Sequence, residues 1–238
     1  MKLPIATLLV AASCSLLACS SSPLAGAAQS GTGAEPGETG NAGSGASAAA
    51  GAGAVNPTST WTAYPPGPYG TGRGATIENL AFLGWKHPDL AAYNPAKFET
   101  VRLSDFYDPD GHTGVKLLAI NASAVWCSVC RSEYENMHND QIYESLRPQG
   151  LEILGTLFED NAYYPAQPQD LTNWGRVPRH AVTFPLALDP GFKLGAYFDS
   201  DATPLNMLVD VRTMTIVQVT MGIAPSYWPQ VQALLEKM

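Results

Sequence analysis

Cys127 and Cys130 stand two residues apart in the run Val125-Trp126-Cys127-Ser128-Val129-Cys130-Arg131, and their types and spacing suit them to react with each other. A disulfide between them closes a very short loop. Cross-link stabilisation grows with loop length, so this bond adds little to the fold and is better explained by its chemistry. Zinc needs about four ligands. Neither a second Cys-x-x-Cys nor a His pair supplies them: His87, His112, His138 and His180 are scattered and read as packing or surface residues. No metal and no cofactor is expected. The remaining chemistry is exchange between thiols and disulfides.

Such a pair must be held by rigid elements. Before it, residues 115–122 (VKLLAINA) read as a buried strand. After it, residues 131–146 read as a helix rich in Glu, Met and Gln, ended by Pro148-Gln149-Gly150. Strands follow at 151–158, 183–188, 204–209 and 214–221, with helices at 168–180, 191–198 and 227–237. Strands alternating with helices, then a strand pair, predict an α/β sandwich with a central mixed sheet flanked by helices. Gly70-x-Gly72-x-Gly74 has no strand before it and reads as linker, and Asp108-Pro109-Asp110-Gly111 reads as a turn. No Gly-x-Ser-x-Gly, P-loop or His-Glu-x-x-His motif is present.

The N-terminal quarter is of another kind. Lys2, the apolar stretch 5–12 and the small residues after it predict a signal peptide over 1–18. Its end, Leu16-Leu17-Ala18-Cys19, resembles the lipobox of bacterial lipoproteins. That resemblance implies cleavage before Cys19 and diacylglycerol on its sulfur, hence a firm two-chain anchor. With Ser20 next, no inner-membrane retention signal is present and the outer membrane is favoured. Residues 20–60 are almost all Gly, Ala, Ser, Thr and Pro without an aromatic. They cannot bury enough apolar surface to order themselves, so a 19–60 tether of roughly 35 Å reach is expected, with one folded domain over 61–238. Processing removes Cys14 and lipidation consumes Cys19, leaving Cys127 and Cys130 as the thiols. The net charge of −8 argues against nucleic-acid binding, and no apolar run after the N-terminus is long enough to span a membrane.

From Val125 to Glu133 the sequence resembles the thioredoxin superfamily, and more closely its extracytoplasmic TlpA- and ResA-like thiol–disulfide oxidoreductases. Trp-Cys-x-x-Cys follows an apolar strand and opens a helix. Glu133 matches the active-site glutamate of that branch, and Asn121 the position where it commonly has Asn and thioredoxin a buried Asp. Thr203-Pro204 stands where the family has its cis-proline, and the long stretch between Arg147 and Pro190 matches an insertion of the branch. The resemblance covers roughly residues 75–238. It implies that Glu133 moves a proton to or from Cys130, that Pro204 is cis, and that Trp126, Thr203 and Pro204 meet the substrate. It also implies a monomer, facing the periplasm from the cell envelope, that reduces proteins such as apocytochrome c with electrons from a membrane donor. Ser128-Val129 replaces the family's Pro-containing dipeptide, which leaves the direction of electron flow open.

On this reading Cys127 sits at a helix N-terminus, where unpaired N–H groups and the dipole favour a thiolate. It attacks a disulfide, and Cys130, one turn inward, resolves the mixed disulfide. Rival readings are weaker. A peroxiredoxin would need Pro-x-x-x-Thr-x-x-Cys, and both Pro and Thr are missing before Cys127. A Sco-type copper chaperone would need three residues between its cysteines. A non-enzymatic lipoprotein binding module with a structural disulfide remains the third alternative.

Overall fold

The computed structural model describes residues 63–198, 202–222 and 224–238. The expected signal peptide, lipidated Cys19 and tether lie outside them. Within the described residues seven strands form one mixed sheet: β1 (Ala81–Trp85), β2 (Glu99–Arg102), β3 (Leu117–Ser123), β4 (Leu151–Leu157), β5 (Leu186–Leu188), β6 (Leu205–Asp210) and β7 (Thr215–Met221). Their spatial order is β2-β1-β5-β4-β3-β6-β7. Pairing is parallel for β3–β4 and β4–β5 and antiparallel elsewhere. β3 lies inside the sheet, and all seven of its residues are buried, which is why it reads as a continuous apolar run.

Among the described residues four α-helices flank the sheet: α1 (Ser128–Asn139), α2 (Ile142–Leu146), α3 (Pro168–Gly175) and α4 (Tyr227–Leu235). α1 and α3 meet edge-to-face through Tyr134 and Trp174, ring centroids 5.2 Å apart. α4 lies by β7 and the start of β3: Gln218 donates to Gln230 (3.3 Å) and Lys116 Nζ to the Leu235 carbonyl (3.1 Å).

The structure corrects several sequence expectations. The single helix at 131–146 is two, because Gln141 adopts a left-handed backbone (φ 50°) between them. The helix expected over 168–180 stops at Gly175. Gly175 is a poor helix former, and Val177 precedes Pro178, which disfavours helical backbone. Residues 191–198 form only a 3₁₀ turn, Lys193–Tyr197. The Gly70–Gly74 stretch is not linker: Gly74 N donates to Ile216 O (2.8 Å), Ile216 N to Ala75 O (2.9 Å) and Ile77 N to Met214 O (2.9 Å), fastening it beside the start of β7. The Asp108 turn does form, with its carboxylate accepting the backbone N–H of His112 (2.8 Å) and Thr113 (2.7 Å).

β1 and β2 extend the sheet beyond the strands anticipated from sequence. β1 packs so closely on β5 that a Cβ on Gly84 would collide with the Leu186 carbonyl and Ala187; only glycine permits that approach. The core beneath the site joins Ile120, Ala124, Tyr134, Met207 and Tyr227, all essentially inaccessible. At about 1.5–3 kcal/mol for each large apolar side chain removed from water, this packing holds the sheet and α1 in fixed register.

Candidate active site

β3 delivers the chain to a short turn, and α1 begins at once after Cys127. Cys127 has extended backbone (φ −77°, ψ 101°) and is the cap of the helix. Its sulfur accepts the Cys130 N–H at 3.0 Å. The two cysteines form a disulfide with Cα atoms 5.3 Å apart. Cys130 is fully buried, whereas Cys127 keeps 4% of its surface and the next two residues are exposed. Attack from solvent therefore has one reachable sulfur, and the inner one can reach only its partner.

The loop before β6 covers that sulfur. The Thr203–Pro204 peptide bond is cis, and the Thr203 hydroxyl donates to Cys127 Sγ at 3.2 Å. Gly222 N, just past β7, donates to Pro204 O (2.8 Å), tying the loop to the sheet. On the other side stands the segment after β4. Trp126 donates its indole N–H to Glu159 (2.8 Å) and packs on Tyr163, centroids 5.2 Å apart. Val125 N donates to Glu159 O at 2.8 Å. Arg131 bonds both the Val125 carbonyl and Asn161 Oδ1. The aromatic wall beside the disulfide is thus braced from α1 and from the 159–165 turn together.

Glu133 lies one helical turn beyond Cys130 and on the same side of α1. It is not a solvated helix residue, for only 7% of its surface is exposed. Asn121 Nδ2 donates to Glu133 Oε2 (2.7 Å) and Asn206 Nδ2 to Oε1 (2.8 Å). Asn121 Nδ2 also donates to Asn206 Oδ1 (2.9 Å), and Ser123 Oγ to Asn121 Oδ1 (2.7 Å). The antiparallel β3–β6 register sets Asn121 directly opposite Asn206, and that pairing makes the clamp. Burial pushes the Glu133 carboxyl up to about 7, against the pull of the Asn206 and Asn121 amides. Tyr134 and Tyr227 lie near enough for its charge to add to the effect of burial, which raises both phenols well above their ordinary range. They stay neutral near pH 7.

The structure brings Cys127, Cys130, Trp126, Thr203, Pro204 and Glu133 to one end of the sheet. It adds Asn206, Ser123, Glu159, Arg131 and Tyr163, which sequence reasoning did not single out. Asn206 carries one signal in the sequence, an amide inside the otherwise apolar run Leu205-Asn206-Met207-Leu208-Val209.

No protein-family model and no curated protein matches the sequence. Solved structures do. A chain from Chlorobium tepidum assigned as the thiol:disulfide interchange protein DsbE superposes with a TM-score of 0.51 at 18% identity, covering 71% of this chain and 98% of its own. A secreted thiol-disulfide isomerase from Corynebacterium glutamicum gives 0.51 at 16% identity, with 70% and 87% covered. A Bacteroides thetaiotaomicron chain assigned as a protein disulfide isomerase gives 0.50 at 23% identity, with 71% and 91% covered. These likenesses define the class of architecture: the chain has a thioredoxin-like fold.

Proposed function

We propose that the protein is an extracytoplasmic thiol–disulfide oxidoreductase that reduces disulfides in other proteins. The observation that carries this reading is the Cys127–Cys130 disulfide at the start of α1, with the Thr203 hydroxyl on the outer sulfur beside Pro204. In the reduced protein the Cys127 thiolate attacks one sulfur of a substrate disulfide. A Cys127–substrate bond forms, and a substrate thiolate leaves and takes up a proton. Glu133 accepts the proton of Cys130. The Cys130 thiolate then attacks Cys127 Sγ, closing the disulfide and releasing the second substrate thiol. Two electrons have passed from the pair to the substrate, and a membrane-associated dithiol donor restores the pair. Trp126, Thr203 and Pro204 form the contact surface, with the Thr203 backbone pairing to an extended substrate segment as an added strand. The leader, the lipid on Cys19 and the tether place this chemistry in the cell envelope.

Trapping tests the activity. Cys130→Ser should accumulate mixed disulfides between Cys127 and other envelope proteins; a chain that forms none under conditions where it remains folded and reduced is a binding module instead. For direction, a reduction potential below about −220 mV is expected of a reductant, whereas a value near −120 mV would make the protein an oxidant.

A further inference from the structure

The clamp on Glu133 has two arms, and one comes from a residue no motif points to. Asn206 lies in β6, two residues past Pro204, where its neighbours are buried apolar side chains. It is 1% exposed. A buried amide costs free energy unless its groups find partners, and both of its side-chain atoms find them within this cluster: Oδ1 takes the Asn121 amide and Nδ2 gives to Glu133. Its contacts thus link the strand after Pro204 to the helix carrying Cys130.

We propose that Asn206 is a positioning residue of the exchange reaction: by donating to Oε1 of Glu133, opposite the Asn121 donation to Oε2, it holds the carboxylate in the ionised, acceptor-only form that can take the proton of Cys130. This rests on the reading of Glu133 as that acceptor. A hydrogen bond to the charged form of an acid favours that form, and burial opposes it. The groups facing Glu133 are few. Tyr134 comes from its own helix and Tyr227 from α4, both neutral; Asn121, backed by Ser123, comes from β3, and Asn206 from β6. Among the described residues no cation pulls on this carboxyl, and the two amides alone offset its burial. With one amide lost, Glu133 stays protonated to higher pH and cannot accept the proton.

Ellman's reagent tests this in the reduced full chain with Cys14 and Cys19 replaced by Ser, so that Cys127 and Cys130 are its two thiols. Its first thionitrobenzoate is released as Cys127 attacks, and its second as Cys130 resolves the mixed disulfide, so the second phase reads Cys130 alone. Glu133→Gln should remove the limb of the second-phase pH profile that rises near 7. Asn206→Leu should move that limb upward by about one pH unit or more, with the rate rejoining wild type at high pH. Asn206→Asp keeps the shape of the side chain but sets a second acid against Glu133, and should also move the limb upward. In the Glu133→Gln background neither change should alter the profile that remains. A limb lost in Glu133→Gln but unmoved in both Asn206 variants overturns the role of Asn206 alone. A rate lowered equally at every pH makes Asn206 merely structural. A limb that survives Glu133→Gln overturns the reading of Glu133 and this proposal with it.

Discussion

Between about pH 4.5, where an unfolded chain releases it, and about 7, where the native fold does, the Glu133 proton is held by the folded state alone. Raising the pH through this window therefore favours unfolding. The stabilisation is complete below the unfolded value and gone above the folded one, an effect of about 3 kcal/mol for a carboxyl this buried. Other acids titrate too, so the informative quantity is the difference between wild type and Glu133→Gln. Urea unfolding of the oxidised protein at a series of pH values should show wild type losing stability relative to the variant from about pH 4.5 to 7. A constant difference would mean that Glu133 does not titrate in the fold. At this scale Cys127, Cys130, Glu133, Asn121, Thr203 and Pro204 are legible in the sequence, since each occupies a fixed offset from the cysteine pair or starts a recognisable strand. Asn206 is not, because its partner Glu133 lies 73 residues away in sequence and only the β3–β6 register brings the two together.

Among the elements, the break between α1 and α2 is the least legible feature near the site. Polar residues at 138–141 fit a solvated helix face as well as a turn, and periodicity alone does not choose. The structure places Gln141 at φ 50°, a conformation that costs a residue with a Cβ about 1 kcal/mol and glycine little. Gln141→Gly should thus raise stability by about 0.5–1 kcal/mol in urea unfolding without altering the reactivity of the pair. Destabilisation would show instead that the helix runs on through this position. The short strands β1 and β2 escape for a different reason. β2 buries a single residue, and β1 pairs with β5 a hundred residues onward, so neither length nor alternation reveals them. The long buried strands β3 and β4 and the strand pair β6–β7 are clear from composition because they sit inside the sheet or fold back on a tight turn.

For the whole molecule, an acidic chain with a net charge of −8 is a poor partner for nucleic acid, and among the described residues no helix is long and apolar enough to cross a membrane. Attachment, on the proposed reading, depends on one sulfur. Cys19→Ala should move the protein from the membrane fraction to the soluble fraction while its disulfide chemistry persists; retention on the membrane would remove the lipid anchor from the account. On the proposed reading the folded part works through one juxtaposition, the cap of α1 set against the loop before β6, and the remaining elements hold the two in register. That juxtaposition matters only if it makes the outer sulfur reactive. The rate of iodoacetamide alkylation of Cys127 in reduced Cys130→Ser protein, followed against pH, measures this most directly. A midpoint well below the free-thiol value of about 8.5 is expected; a midpoint at that value would contradict the account.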